Sequence, residues 1–174
     1  MRVITLLFAL ILMASCGTSS QEVKKEIKKS EFTISQKHEP VLIVNRSAAK
    51  KIDEWNEYRS VKEFLTQFES ISPNEALNNS RELNGLVEVM KDSVMPEFLD
   101  KPSFKARVNL MHNETLRLYD MSSISAIKHS EVNAQVVKIL EAFSTINSKI
   151  NTLIQQEELD QQVDDPKFNR LFPA

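Results

Sequence analysis

Only two glycines occur in 174 residues, Gly17 and Gly85. Tight hairpins, phosphate-cradling loops and nucleophile elbows use glycine to reach positive φ or to bring backbone close to a ligand. Sheet-based and P-loop architectures therefore fit this chain poorly. A single cysteine, Cys16, leaves no disulfide to form within the chain, so stability has to come from packing. Histidine is scarce: His38, His112 and His129 are the whole supply. Di-iron bundles need paired Glu-x-x-His motifs projecting inward, and none is present. A haem held by His112 with Met90 or Met111 is the remaining metal option, but isolated methionines on core stripes usually fill gaps, and no metal or cofactor is expected. The chain also lacks a Gly-x-Ser-x-Gly elbow and any histidine in a recognisable catalytic setting. The carboxylate pairs Glu157 with Glu158 and Asp164 with Asp165 read as solvated helix ends, because general acid work needs a carboxyl raised by burial. No catalytic residue and no enzyme activity is expected. With a net charge of −2, the chain lacks the basic field that nucleic-acid binding requires.

What is present begins at the N-terminus. Arg2 is followed by an apolar run through Val3, Ile4, Leu6, Leu7, Phe8, Leu10, Ile11, Leu12 and Met13. The run is shorter than the roughly 20 apolar residues that span a bilayer as a helix, and it suits the apolar core of an export signal. Met13-Ala14-Ser15-Cys16 follows at the expected cleavage position and resembles the lipobox of bacterial lipoproteins, with Met13 where leucine is commoner. The resemblance covers residues 1–16 only. It implies that residues 1–15 are a cleaved signal peptide and that the Cys16 thiol receives a diacylglyceryl group, with a further acyl chain on the freed amine in many bacteria. One acyl chain holds a protein to a membrane only marginally at about 0.8 kcal/mol per buried methylene, and two or three hold it stably. Loss of residues 1–15 removes only Arg2 among the charged residues, leaving 21 Lys and Arg against 24 Asp and Glu. Gly17 stands where, by resemblance to enterobacterial sorting rules, an aspartate would favour the inner membrane. The expected location is thus the cell envelope, on the outer membrane facing the periplasm.

Residues 17–40 are polar and rich in Lys, Glu, Ser and Thr, a composition that buries too little apolar surface to offset ordering. They predict a flexible tether spanning roughly 25 to 30 Å as a coil, within a lipid-anchored segment of residues 16–46. Lys24, Lys25, Lys28 and Lys29 alternate with Glu22, Glu26 and Glu31, which favours a solvated linker over a headgroup-binding patch. Val41 to Val44 is apolar but too short for periodicity to assign, and reads as irregular or extended.

From Ser47 a 3.6-residue period takes over, predicting an all-α fold: a small antiparallel bundle of about four helices within residues 47–160, followed by an irregular tail over 161–174. Ala48, Ile52, Trp55, Tyr58, Val61, Leu65 and Phe68 share one face and predict a first helix over 47–70. Ser72-Pro73-Asn74-Glu75 is a start signal with a capping box, and Ala76, Ser80, Leu83, Val87, Met90 and Val94 continue the second stripe towards Pro96. Asp100 and Pro102 mark the third start, with a stripe of Phe104, Val108, Met111, Thr115 and Leu118 that ends near Ser122 to Ser125. The fourth stripe, Val132, Val136, Ile139, Phe143, Ile146, Ile150 and Leu153, is the most regular, with Ser130 as the expected cap.

Four residues stand out as interaction or register candidates. Thr115 interrupts the third stripe, and Asn147 lies beside the fourth on a rotated row with Val137, Leu140 and Ile154; a buried hydrogen bond at either would set helix register, or the two would line a small cavity. Trp55 and Tyr58 are of the residue types that anchor partners at interfaces, though such aromatics more often belong to a core. Together these features predict a non-enzymatic interaction or structural module held to the membrane through Cys16, with another envelope protein as partner. The alternative is a small-ligand carrier with an apolar pocket between its helices.

Overall fold

A computed structural model of the chain describes residues 30–163; Cys16, the leader, residues 17–29 and the tail from residue 164 lie outside them. The fold is a helical bundle. Five α-helices run in order: α1 (Arg46–Lys51), α2 (Asn56–Leu65), α3 (Pro73–Asp92), α4 (Pro102–Met121) and α5 (His129–Val163). Two short strands, β1 (Gln36–Lys37) and β2 (Ser70–Ile71), pair antiparallel, with Gln36 opposite Ile71 and Lys37 opposite Ser70.

The starts of the long helices show how far local sequence governs the fold. At α3 the Ser72 hydroxyl accepts from the Glu75 amide and the Glu75 carboxylate accepts from the Ser72 amide at 2.9 Å, with Pro73 at the first helical position. A box of this kind contributes about 1 kcal/mol. Pro102 opens α4, but Asp100 does not cap it. Its carboxylate lies 2.5 Å from Lys105 Nζ, and that ammonium holds the Asp100 pKa below the usual carboxylate value. Ser130 does not cap α5 either: the helix starts one residue earlier, at His129, and the Glu131 carboxylate reaches back to accept the Lys128 amide at 2.9 Å.

Short connections over 93–101 and 122–128 force α3, α4 and α5 into antiparallel neighbours, and α4 packs along both α3 and α5. The stripes anticipated for these helices form one core: Leu83, Val87 and Met90 from α3, Phe104, Val108, Met111 and Leu118 from α4, and Val132, Ile139, Phe143, Ile146 and Ile150 from α5 are all essentially inaccessible. Two positions depart from the pattern. Val94 is 96% exposed, because α3 ends at Asp92 and leaves it on the connection. Near the end of α5 the buried position is Ile154, with Leu153 half-buried. At 3.6 residues per turn a strict alternation of three and four drifts around a straight helix, and the register slips by one residue. The helix itself continues to Val163, past the boundary expected at residue 160.

Two expectations fail in informative ways. The first helix is not continuous over 47–70. It breaks into α1 and α2 at an exposed turn, Asp53–Glu54, and α2 passes through a 3-10 turn (Thr66–Glu69) into β2. The apolar residues Ala48, Ile52, Trp55, Tyr58, Val61, Leu65 and Phe68 are nevertheless all buried. An apolar period reports which side chains face the core and is silent about breaks that keep the phase. The tether expected over 16–46 is, from Ser30 onward, part of the body: Phe32, Val41 and Val44 pack on the core and His38 is buried. Residues 30–45 thus form a strap on the body.

The strap has a definite course. Glu31 Oε2 lies 2.8 Å from His129 Nε2 at the start of α5, the Leu42 amide bonds to Ser144, the Asn45 amide bonds to Asn151, and Lys51 reaches Glu157 at 2.6 Å. The strap and α1 thus run parallel to α5 from residue 129 to 157, about 40 Å at 1.5 Å per residue. They close the side of the bundle between α2 and α5.

Candidate functional site

The polar side chains that sequence reading could not place gather on this seam. On α5, residues 133, 140, 144, 147 and 151 are separated by seven, four, three and four positions, which puts them on one face of the helix. Three of them grip the strap. Ser144 Oγ accepts from the Leu42 amide at 3.1 Å; Asn147 Nδ2 donates to the Leu42 carbonyl at 2.6 Å; Asn151 donates to the Ile43 carbonyl at 3.2 Å and accepts from the Asn45 amide at 2.8 Å. All four bonds are to backbone, so the ladder recognises an extended chain whatever its side chains. Asn45 then turns the strap into a helix, its carboxamide oxygen accepting from the Ala48 amide at 2.8 Å as the cap of α1.

Asn147 has a second partner, since its Oδ1 accepts from Tyr58 Oη at 2.8 Å. One buried carboxamide therefore ties together the strap, α2 and α5. Burial pushes the Tyr58 phenol well above its ordinary range, so it remains a neutral donor. Tyr58 stacks on Trp55 on one side and on Phe143 on the other, each with ring centroids 5.5 Å apart. Trp55 Nε1 donates to Ser93 Oγ at 2.9 Å, just beyond the end of α3. Trp55 and Tyr58 are 3% and 4% exposed: of the two readings open to them, partner anchors or core residues, the structure has core aromatics with satisfied polar tips. Asn147 makes buried hydrogen bonds of the kind expected of it, between the strap and two helices and not between helices alone. Thr115 is fully buried, its hydroxyl 2.9 Å from the His112 carbonyl and 3.2 Å from Asn84 Oδ1 across the interface of α3 and α4.

A second polar lock joins α4 and α5. Gln135 Nε2 donates to the Glu114 carbonyl at 2.9 Å and to its carboxylate at 2.7 Å, and Arg117 meets the other carboxylate oxygen at 3.2 Å. Sequence reading missed Gln135, Glu114, Ser144 and Asn151. The signal that would have found the last two is the run of Ser and Asn at 144, 147 and 151, residue types that compete with helical backbone and need a reason to sit mid-helix.

The seam is not fully satisfied. His38 Nε2, on the strap, and Asn133 Oδ1, on the strap-facing row of α5, are buried without a hydrogen-bond partner. Burial holds the His38 imidazole pKa below its usual 6.5. In acid the unfolded chain takes up this proton first, so between the two values it binds more protons than the folded chain. Stability therefore rises with pH through that window and is lost as pH falls below 6.5. Thermal denaturation of the wild type and His38→Gln, compared from about pH 5 to 7, is expected to show the wild type losing stability relative to the variant on acidification. A difference that does not change with pH would remove His38 from the account.

Surface depressions lie elsewhere among the described residues. An open cleft of about 760 Å³ lies between α5 and the start of α4, floored by Phe98 and Leu153 and rimmed by Glu97, Lys101, Lys149 and Asp160. A groove of about 420 Å³ between α2 and α3 is lined by Ser60, Gly85, Leu86 and Val89, among others. A smaller notch of about 140 Å³ beside the strap involves Ile43, Val44, Ile52 and Tyr58. Among the described residues no cluster of three or more His, Cys, Asp or Glu side chains could hold a metal ion. Comparison with known proteins found no matching family model, no similar curated protein and no similar solved structure.

Proposed function

We propose that this chain is a lipid-anchored cell-envelope protein whose helical body serves as an interaction or structural module and not as an enzyme. The observation that carries this reading is the apolar leader ending in Met13-Ala14-Ser15-Cys16, with its resemblance to the lipobox. Among the described residues no helix is long and apolar enough to cross a membrane, and attachment in this reading is through the lipid on Cys16. Residues 17–29 connect Cys16 to the strap, and 13 residues reach at most about 45 Å. The strap enters the body at the His129 end of α5. In this reading a periplasmic partner meets the exposed surface of the body, which includes the cleft around Phe98 and Leu153.

The alternative, a small-ligand carrier, needs a pocket that encloses most of its ligand. The clefts described above are open, and the one around Phe98 and Leu153 is rimmed by charge, which favours a macromolecular partner. Two measurements test the reading. Cys16→Ser is expected to move the protein from the membrane fraction to the soluble fraction while leaving its circular dichroism unchanged; retention on membranes would end the lipid-anchor proposal. Crosslinking in intact cells is expected to join the anchored protein to another envelope protein.

A further inference from the structure

The seam between α2 and α5 is built as a peptide-binding groove that happens to be filled by its own chain. Its recognition elements are three side chains on one row of α5, Ser144, Asn147 and Asn151, and their four bonds go to backbone atoms of Leu42, Ile43 and Asn45. Its apolar wall takes Val41 and Val44, three residues apart, while Leu42 and Ile43 between them point outwards, 47% and 78% exposed. The groove therefore accepts an extended segment with branched apolar residues at its first and fourth positions and a capping Asn at the fifth.

We propose that this groove is a binding site for an extended peptide and that its ligand in trans is the strap of a second copy of this chain, the two copies exchanging residues 30–51. Four features of the structure support the exchange. The segment of Val41 to Asn45 is the one ligand whose fit to the groove is demonstrated atom by atom, and a neighbour carries the same segment. The connection to α2 is the exposed Asp53–Glu54 turn, which opens at the loss of one backbone bond across it, from the Trp55 amide to the Ile52 carbonyl at 3.0 Å. The closed seam leaves His38 Nε2 and Asn133 Oδ1 buried and unpaired, and an unpaired buried polar group offsets part of what closure contributes, which lowers the barrier to release. Ile34, Leu42, Ile43 and Val137 leave apolar surface exposed along the seam, which a second copy lying alongside would cover. Exchange conserves the contacts between the strap and α5 and so requires little beyond opening of the hinge and sufficient concentration. Anchoring on a membrane, the reading proposed above, would supply the concentration but is not needed for the exchange itself.

The test uses the chain with Cys16→Ser, so that introduced cysteines are the only ones. Two differently tagged forms are prepared, one carrying Leu42→Cys and the other Ser144→Cys, sites whose backbone and side chain meet at 3.1 Å. Neither form can crosslink within one chain. After mixing, co-refolding and treatment with a short bis-maleimide that reaches from the outward-facing residue 42 to residue 144, the crosslinked heterodimer is expected at roughly ten-fold or more the yield of a control pairing Leu42→Cys with Gln162→Cys, because seating the strap raises the local concentration of the matched pair. As a second measurement, deletion of Asp53 and Glu54 shortens the hinge and is expected to convert the protein to a dimer by light scattering, as strained short hinges favour exchange. Heterodimer at the control yield overturns the proposal, whatever foreign protein the groove is found to capture. A hinge-deleted chain that is folded and monomeric overturns it as well. A chain that stays on membranes after Cys16→Ser would defeat the anchor and leave the exchange standing, so the two failures are distinguishable.

Discussion

Replacing Phe143 with alanine is expected to lower the free energy of unfolding by about 3 to 5 kcal/mol, the usual cost of removing a buried aromatic ring. The position is at the high end of that range for physical reasons. Phe143 is almost completely buried, and its ring stacks on Tyr58 with centroids 5.5 Å apart, a geometry that contributes about 0.5 to 1.5 kcal/mol beyond area burial. Its neighbours resist collapse into the void, because Tyr58 is held by Asn147 and Trp55 by Ser93. Domains of this size are stable by only about 5 to 15 kcal/mol, so the variant loses a large share of its margin. Urea denaturation of the two proteins measures the difference. A loss below about 1.5 kcal/mol, closer to that of an ordinary substitution, would show that the aromatic stack is not the rigid centre described here.

The second large effect is expected at Asn147. Asn147→Leu preserves volume approximately but strips a partner from both Tyr58 Oη and the Leu42 carbonyl. Leaving a buried polar group unsatisfied costs about 1 to 3 kcal/mol, which puts the variant about 2 to 4 kcal/mol below the wild type. Tyr58→Phe alone is expected to cost about 1 kcal/mol, near the mean net worth of one hydrogen bond. The double variant is expected to be more stable than the sum of the singles implies by about 1 kcal/mol, because removing both ends of a bond leaves no orphan. Hydrogen exchange supplies an independent readout: the amides of Leu42 and Asn45, which donate to Ser144 and Asn151, should lose protection in Asn147→Leu. Additive single-variant losses with an unchanged strap would mean that Asn147 is merely a buried spacer.

These two sites also show what the sequence made legible and what it left unreadable. Phe143 belongs to a stripe whose spacing alone declares its environment, as do Leu83 and Met111, because an amphipathic helix has few other ways to hide apolar surface. Ser72 to Glu75 could be read with equal ease, since a capping box is a purely local arrangement. Asn147 was visible as an oddity beside a stripe, but its partners lie 89 and 105 residues away on α2 and the strap, and no local pattern names such partners. The strap was read as a tether for the same reason. Residues 36–45 contain a proline, a histidine and a short apolar run with no usable period. Their order is imposed by donors and acceptors on α5 and not by their own propensity. The break at Asp53–Glu54 escaped notice because Ile52 and Trp55 keep the phase of the apolar face across it. Trp55 and Tyr58 illustrate a middle case: residue type left a surface role open, while their place on the first stripe pointed to the core, where both rings are enclosed.

The parallel course of strap and α5 has a mechanical consequence. In a chain held at Cys16, tension between the bilayer and a partner gripping the far end of the body is directed along the axis of α5. The rungs formed by Ser144, Asn147 and Asn151 lie across that axis, so they bear the load side by side in shear instead of giving way one after another. The same rungs would part sequentially under a sideways tug on Ser30, and so the protein is tougher along its length than across it.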